Sequence, residues 1–203
     1  MTRPVPQPPA FGAPCPIAPS DPTLDLLASR RSSSSQTLTG PGPTPGQIDD
    51  LLRLAARVPD HGKLFPWRFV VLQDEPKTRF VAALREMGAR QEQPEKALAV
   101  LAKIANPPLT VAVISSPVEA KIPLWEQQLS AGAVCMTLLT ACQAMGFGAS
   151  WITDWYAFDA AATALLGVKP GERVAGYVHI GTATEAPLER VRPDMAAIVE
   201  RWD

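Results

Sequence analysis

Histidine, cysteine and net charge are all scarce in this chain of 203 residues, and each shortage closes off a class of chemistry. The two histidines are His61 and His179. With no H-E-x-x-H segment and no cysteine pair at zinc spacing, the ligands of a catalytic metal site are missing. Cys15, Cys135 and Cys142 form an odd set, and the last two stand seven residues apart, on one apolar face of a helix, as core thiols. A formal net charge of -1 gives no electrostatic reason to bind nucleic acid or an anionic membrane. Long apolar runs are also lacking. Ala131 to Met145 spans about 15 residues where a bilayer crossing needs roughly 20, and Thr137, Thr140 and Gln143 interrupt it. No basic stretch leads into an apolar one at the N-terminus, so no secretory signal is expected and the expected compartment is the cytoplasm.

Familiar catalytic loops are missing too. Gly148-Ala149-Ser150-Trp151-Ile152 lacks the closing glycine of a nucleophile elbow, and no G-x-x-x-x-G-K-[ST] loop occurs. Gly146-Phe147-Gly148 follows a helical run rather than a strand, which leaves dinucleotide binding of the Rossmann type unsupported. In an enzyme of this composition the hard chemistry falls to a bound cofactor.

What is present describes a globular domain with a tail: 46% of residues are apolar and 19% charged. Eight prolines crowd residues 1–22, which read as an irregular arm, and residues 23–203 read as the folded domain. A short helix over Leu24–Arg30 is followed by a polar linker, Ser32–Pro43. Thr44-Pro45-Gly46-Gln47 has the form of a capping box with proline at the first helical position, opening a helix that Pro59 stops. Trp67–Leu72, Leu109–Ile114 and Val174–Ile180 read as strands. Pro76–Arg90, Glu95–Ala105, Ser130–Met145 and Phe158–Leu166 read as helices. Helices and strands mix without a βαβ rhythm, which predicts an α+β sandwich.

Four constellations carry chemistry. Arg30-Arg31-Ser32 offers two guanidinium groups and a hydroxyl to a phosphate, although basic residues also suit an ordinary helix C-terminus. Arg57-Val58-Pro59-Asp60-His61-Gly62-Lys63-Leu64-Phe65-Pro66-Trp67 places polar groups on a loop between rigid elements; a hydrogen-bonded turn with a structural histidine fits the same pattern. Trp125-Glu126-Gln127 and Ser130-Ala131-Gly132-Ala133 open an apolar helix suited to a dimer interface or to a central core. Gly146–Thr153 sets backbone donors beside a flat ring, or forms a core strand.

Taken in this order, from Leu24 to Asp194, the segments resemble the nitroreductase family, in particular its shorter bacterial members. Gly181-Thr182 after the last strand adds to the resemblance. It implies a three-layer sandwich with a mostly antiparallel sheet flanked by helices, and an intertwined homodimer that holds FMN at the subunit boundary. Arg30, Arg31 and Ser32 would hold the FMN phosphate and ribityl chain. Arg57 and His61 would reach the flavin of the other subunit, and Trp151, Ile152 and Thr153 would run along one edge of it. Residues Gln143 to Gly148 would face NADH or NADPH, and Arg192 is a further candidate for the phosphate site. The implied activity is a ping-pong passage of hydride from NAD(P)H through FMN to a small electron-poor acceptor such as a nitroaromatic or quinone. Two features depart from the family pattern: Ile152, where relatives often carry arginine, and the proline-rich arm. They leave open dehalogenation, flavin breakdown or a non-catalytic dimeric interaction protein.

Overall fold

Five strands form one antiparallel sheet whose central member, β3 (Leu109–Ser115), is buried along its whole length. On one side of β3 lies β2 (Trp67–Gln73); on the other lies β5 (Arg173–Ala183). The outer edge of β5 is shared by β4 (Gly148–Ile152) and by the two-residue β1 (Leu38–Thr39). The computed structural model describes residues 4–202, so residues 1–3 of the expected arm and residue 203 lie outside it.

Helices cover both faces of the sheet. Side chains alternate along a strand, and Leu109, Val111 and Val113 of β3 point to one face while Ala112 and Ile114 point to the other. The first face packs against α2 (Pro45–Ala55) and α6 (Leu124–Ala144) through Ile48, Leu51, Val134, Leu138 and both buried cysteines. Burial pushes the Cys135 thiol up to about 12 and that of Cys142 further in the same direction, so both are inert core groups. The second face packs against α3 (Asp74–Gly88) and its neighbours α4 (Pro94–Ala99) and α5 (Ala102–Ala105), together with α7 (Ala160–Ala164). A register shift between Val113 and Ile114 lets Val174 and Tyr177 of β5, three residues apart, face the same core. The result is the expected α+β three-layer sandwich, and all the described strand pairings are antiparallel.

Several expected boundaries move. The segment read as a polar linker contains a 3-10 turn (Ser35–Thr37) and β1, whose Leu38 is fully buried. The helix opened at Thr44 ends at Ala55, short of Pro59, because the chain turns at Ala56. The run 95–105 is two short helices broken at Val100-Leu101, and a 3-10 turn (Trp155–Ala157) precedes the shortened α7. Helix α6 begins at Leu124, six residues before Ser130. α1 (Asp21–Ser29) has no buried residue, and α8 (Met195–Ile198) adds one turn near the C-terminus. Residues 4–20 form no helix or strand; Arg53 Nη1 donates to Pro6 O at 2.9 Å and ties part of this segment to α2. Among the described residues, no helix is long and apolar enough to cross a membrane.

Candidate functional site

The residue after α1, Arg30, adopts extended backbone, so the chain leaves the helix and runs beside the sheet. Ser33 N donates to Ala149 O at 3.0 Å and joins this segment to β4. Where α6 ends, Gly146 takes φ +83°, a conformation that favours glycine, and turns the chain into β4. These two crossings enclose a cleft of about 320 Å³ lined by Arg30, Arg31, Ser32 and Ser33, by Leu139 and Gln143 of α6, by Gly146 to Ala149, and by Ala183 and Pro187. Gly148 is needed for closeness: an added Cβ would stand 2.7 Å from Leu38 Cδ2, 2.8 Å from Ser33 Oγ and 2.9 Å from Ala183 Cβ.

The polar wall of the cleft is cationic. Arg30 Nη2 donates to Ser32 Oγ at 3.4 Å, and Arg31 Nε donates to Leu188 O at 2.7 Å. The tail lies across this pair: Glu189 Oε1 sits 3.9 Å from Arg31 Nε, and Arg192 Nη2 reaches Arg30 O at 3.4 Å. The Glu189 carboxyl is held below its usual range chiefly by the N–H of Arg190, with Arg192 and Arg31 adding their charge. Each guanidinium has five N–H donors, so both arginines keep donor capacity beyond these contacts.

A second group of candidate residues sits at the other end of α6. The loop after α2 passes through three left-handed residues, Gly62, Lys63 and Phe65, at φ +82°, +55° and +48°. For the two non-glycine residues this costs on the order of 1–3 kcal/mol each, and the surroundings must hold it. They do: the Asp60 carboxylate accepts from Leu64 N at 3.2 Å and Phe65 N at 2.8 Å, and Ser130 Oγ donates to Pro59 O at 2.8 Å. Trp67 Nε1 in turn donates to Ser130 Oγ at 3.2 Å. Arg57 and His61 are exposed on this loop, and His61 Nδ1 lies 2.7 Å from Glu126 Oε2. Trp151 closes the third group: its Nε1 donates to Ala175 O at 3.2 Å, with the indole lying across the bare backbone of Gly176.

The structure thus brings Arg30, Arg31 and Ser32 together with Gln143 and Gly146 to Gly148. It does not bring Arg57 or His61 into that cleft within one chain, and Trp151, Ile152 and Thr153 carry β4 onward past it. Sequence reasoning missed Ser29, Ser33, Leu139, Ala183 and Pro187 as lining residues, and took Glu126 only as part of a motif opening the apolar helix. Only Ser33 carried a signal, its place directly after the arginine pair.

An antiparallel sheet between helical layers, with a long apolar helix ending at a cationic cleft, defines an α+β fold that solved proteins share. A nitroreductase-like family protein from Bacillus cereus superposes with a TM-score of 0.79 over 92% of this chain and 99% of its own, at 20% identity. A nitroreductase with bound FMN from Bacteroides fragilis NCTC 9343 gives 0.70 over 91% and 100%, at 17% identity. In sequence, the Escherichia coli (strain K12) protein named "Putative NAD(P)H nitroreductase YdjA" is 32% identical over 161 residues, 78% of this chain and 87% of the relative. The sequence model of the nitroreductase family matches residues 27–182, and the chain belongs to that family, which is an oxidoreductase family.

Proposed function

We propose that this protein is an FMN-dependent oxidoreductase that moves hydride from NADH or NADPH to a small electron-poor acceptor, nitroaromatic or quinone-like, in the cytoplasm. The observation that carries the reading is the cleft beside β4, where Arg30, Arg31, Ser32 and Ser33 line one wall and Gly148 lets β4 approach that segment closely. That donor set fits a phosphate monoester on a polyol chain: guanidinium groups bind phosphate oxygens in bidentate fashion and hydroxyls add short donors. When bound, the flavin supplies the two-electron chemistry, accepting and releasing hydride at its N5.

The chain's own residues hold and orient. Arg30, Arg31 and Ser32 grip the phosphate and ribityl chain, with Arg192 close behind them. Trp151, Ile152 and Thr153 would lie along one edge of the ring system, Ile152 through its backbone alone. Residues Gln143 to Gly148 face the nicotinamide. The two substrates would use one face in turn, which would make the cycle ping-pong.

Arg57 and His61 join this site only from a second copy. Glu126, beside His61, and Gln143, in the cleft, stand 17 residues apart on α6, which at a rise of 1.5 Å per residue is about 25 Å, too far for one flavin. A two-fold partner packed antiparallel along α6 sets the loop end of one helix beside the cleft end of the other. The α6 face for this contact is already apolar and partly open, with Trp125 and Leu129 each 61% exposed and Met136 half-buried further along. Exposed Leu24 and Leu27 on α1 extend it.

Purified protein is expected to be yellow, to bleach anaerobically with NADH or NADPH, and to regain colour with a quinone or nitroaromatic. Protein that stays colourless and takes up no added FMN would refute the reading.

A further inference from the structure

His61 and Glu126 stand 65 residues apart in the chain, yet their side chains meet at 2.7 Å. Each is fixed from its own side. His61 rides on the loop pinned by Asp60 and Ser130, with Gly62 packed against Ile122, and Glu126 sits in the first turn of α6. The imidazole is 63% exposed, and no hydrogen bond to its Nε2 is found among the described residues. An exposed ion pair of this kind contributes little to stability. What it does fix is ring orientation: Nδ1–H donates to the carboxylate and Nε2 is aimed outward, the arrangement in which a carboxylate orients a histidine for proton transfer.

We propose that His61 is the proton donor in acceptor reduction and that Glu126 is its positioning residue. The proposal rests on the flavin-oxidoreductase reading above, which sets this end of α6 beside the cleft of a second copy. A quinone that takes hydride, with NAD(P)H as the ultimate reductant, gains an electron pair and is left with negative charge on oxygen. The Nε2–H bond of the His61 imidazolium breaks and the O–H bond of the hydroquinone forms. The other proton stays on Nδ1, hydrogen-bonded to the Glu126 carboxylate throughout, and bulk solvent returns a proton to Nε2. Charge and electrons balance with no further reagent. Glu126 on α6 is the charged group in contact with the imidazole; the elements beside it also carry Arg57, Asp60 and Lys63 on its own loop, and Glu119 and Lys121 on the segment whose Ile122 packs against Gly62.

The test separates the two half-reactions in the flavin-loaded protein by anaerobic stopped flow, with a benzoquinone as acceptor. His61→Gln is expected to slow reoxidation by the quinone about 100-fold, a far larger loss than any in flavin affinity or in the rate of reduction by NAD(P)H. The fall of the wild-type reoxidation rate with rising pH is expected to flatten. His61→Asn is the second variant, and thermal melting confirms that both fold. Nitrogen NMR of the imidazole, read without any turnover, is expected to show neutral His61 as the Nδ1–H tautomer and Glu126→Ala to shift it toward Nε2–H. A histidine variant that reoxidises at the wild-type rate with the wild-type pH profile overturns the proposal and leaves the flavin reading standing. So does equal loss of flavin affinity and of both half-reactions, which makes His61 a cofactor contact only. An unchanged tautomer in Glu126→Ala removes Glu126 from its role. Wild-type protein that binds no flavin removes both readings.

Discussion

Arg68 grips Glu172 with two bonds, Nε to Oε1 at 2.9 Å and Nη2 to Oε2 at 2.7 Å, which locks the start of β2 to the turn that leads into β5. Ser116 Oγ at 2.6 Å and Lys169 N at 2.8 Å complete the shell around this largely buried carboxylate. The Arg68 guanidinium, with Ser116 and the Lys169 N–H adding to it against the cost of burial, draws the Glu172 carboxyl down from 4.5 to about 2.

The folded state therefore keeps Glu172 ionised where the unfolded chain takes up a proton. Its contribution is fully present above about pH 4.5 and is lost as pH falls toward 2. Glu172→Gln is expected to cost about 2 kcal/mol at pH 7, and its gap from wild type in urea unfolding is expected to close between pH 4.5 and 2. A gap that stays constant with pH would show that the carboxylate charge is not what matters.

His179 sets a separate, higher window. It is fully buried, its Nδ1 is 2.9 Å from Thr110 Oγ1, its ring stacks on Tyr177, and its Nε2 has no partner among the described residues. Burial, with Lys77 and Lys103 adding their charge, lowers it from 6.5 to about 3. The unfolded chain thus binds a proton near pH 6.5 that the folded chain refuses, so stability declines as pH drops below 6.5, by up to about 1.4 kcal/mol per unit. Urea unfolding of the wild type between pH 7 and 5 is expected to show that slope and His179→Gln to lose it. Parallel slopes would assign the effect elsewhere.

The arginine pair makes a direct prediction about the cofactor. Arg30→Ala and Arg31→Ala are each expected to weaken FMN binding about 10- to 100-fold, the loss of a charge-assisted hydrogen bond. Flavin fluorescence on titration measures it. Unchanged affinity in either variant takes that residue out of the site.

Gly176 is tested through Trp151. An alanine Cβ there would overlap Trp151 Nε1 and Cδ1, so the indole must leave and its bond to Ala175 O breaks. Gly176→Ala is expected to cost about 1–3 kcal/mol by overpacking. Adding Trp151→Ala should recover part of that loss in the melting temperature, since the two are in contact. If the double variant is worse than the sum of the single ones, the indole is not the obstacle.

Local rules made some elements legible and left others hidden. The capping box at α2 was legible because its chemistry is contained in four residues: Gln47 N donates to Thr44 Oγ1 at 3.4 Å and Thr44 N to Gln47 Oε1 at 2.9 Å. β1 was not, since two residues have no period; only their pairing with Thr182 and Ala183, far along the chain, makes them a strand. The start of α6 at Leu124 rather than Ser130 was masked by exposed Trp125 and Leu129, which interrupt the buried stripe, although Trp125-Glu126-Gln127 stood out as a motif at its opening. At the candidate site, Arg30 to Ser32 and Gly146 to Gly148 were readable as separate motifs. Their meeting depends on the Ser33–Ala149 bond, and the His61–Glu126 contact depends on how a loop with left-handed Lys63 and Phe65 folds back onto α6.

α1 has nine residues and none of them is buried. A free helix of that length is marginal in water, so its order rests on its contact with α6, through half-buried Leu26, and on whatever else covers Leu24 and Leu27. Arg30 and Arg31 begin where it ends, so the stiffness of this arginine pair is set in part from outside the cleft. Diluting away that covering surface would slacken the two guanidinium groups while leaving the lining supplied by α6, β4 and β5 in place.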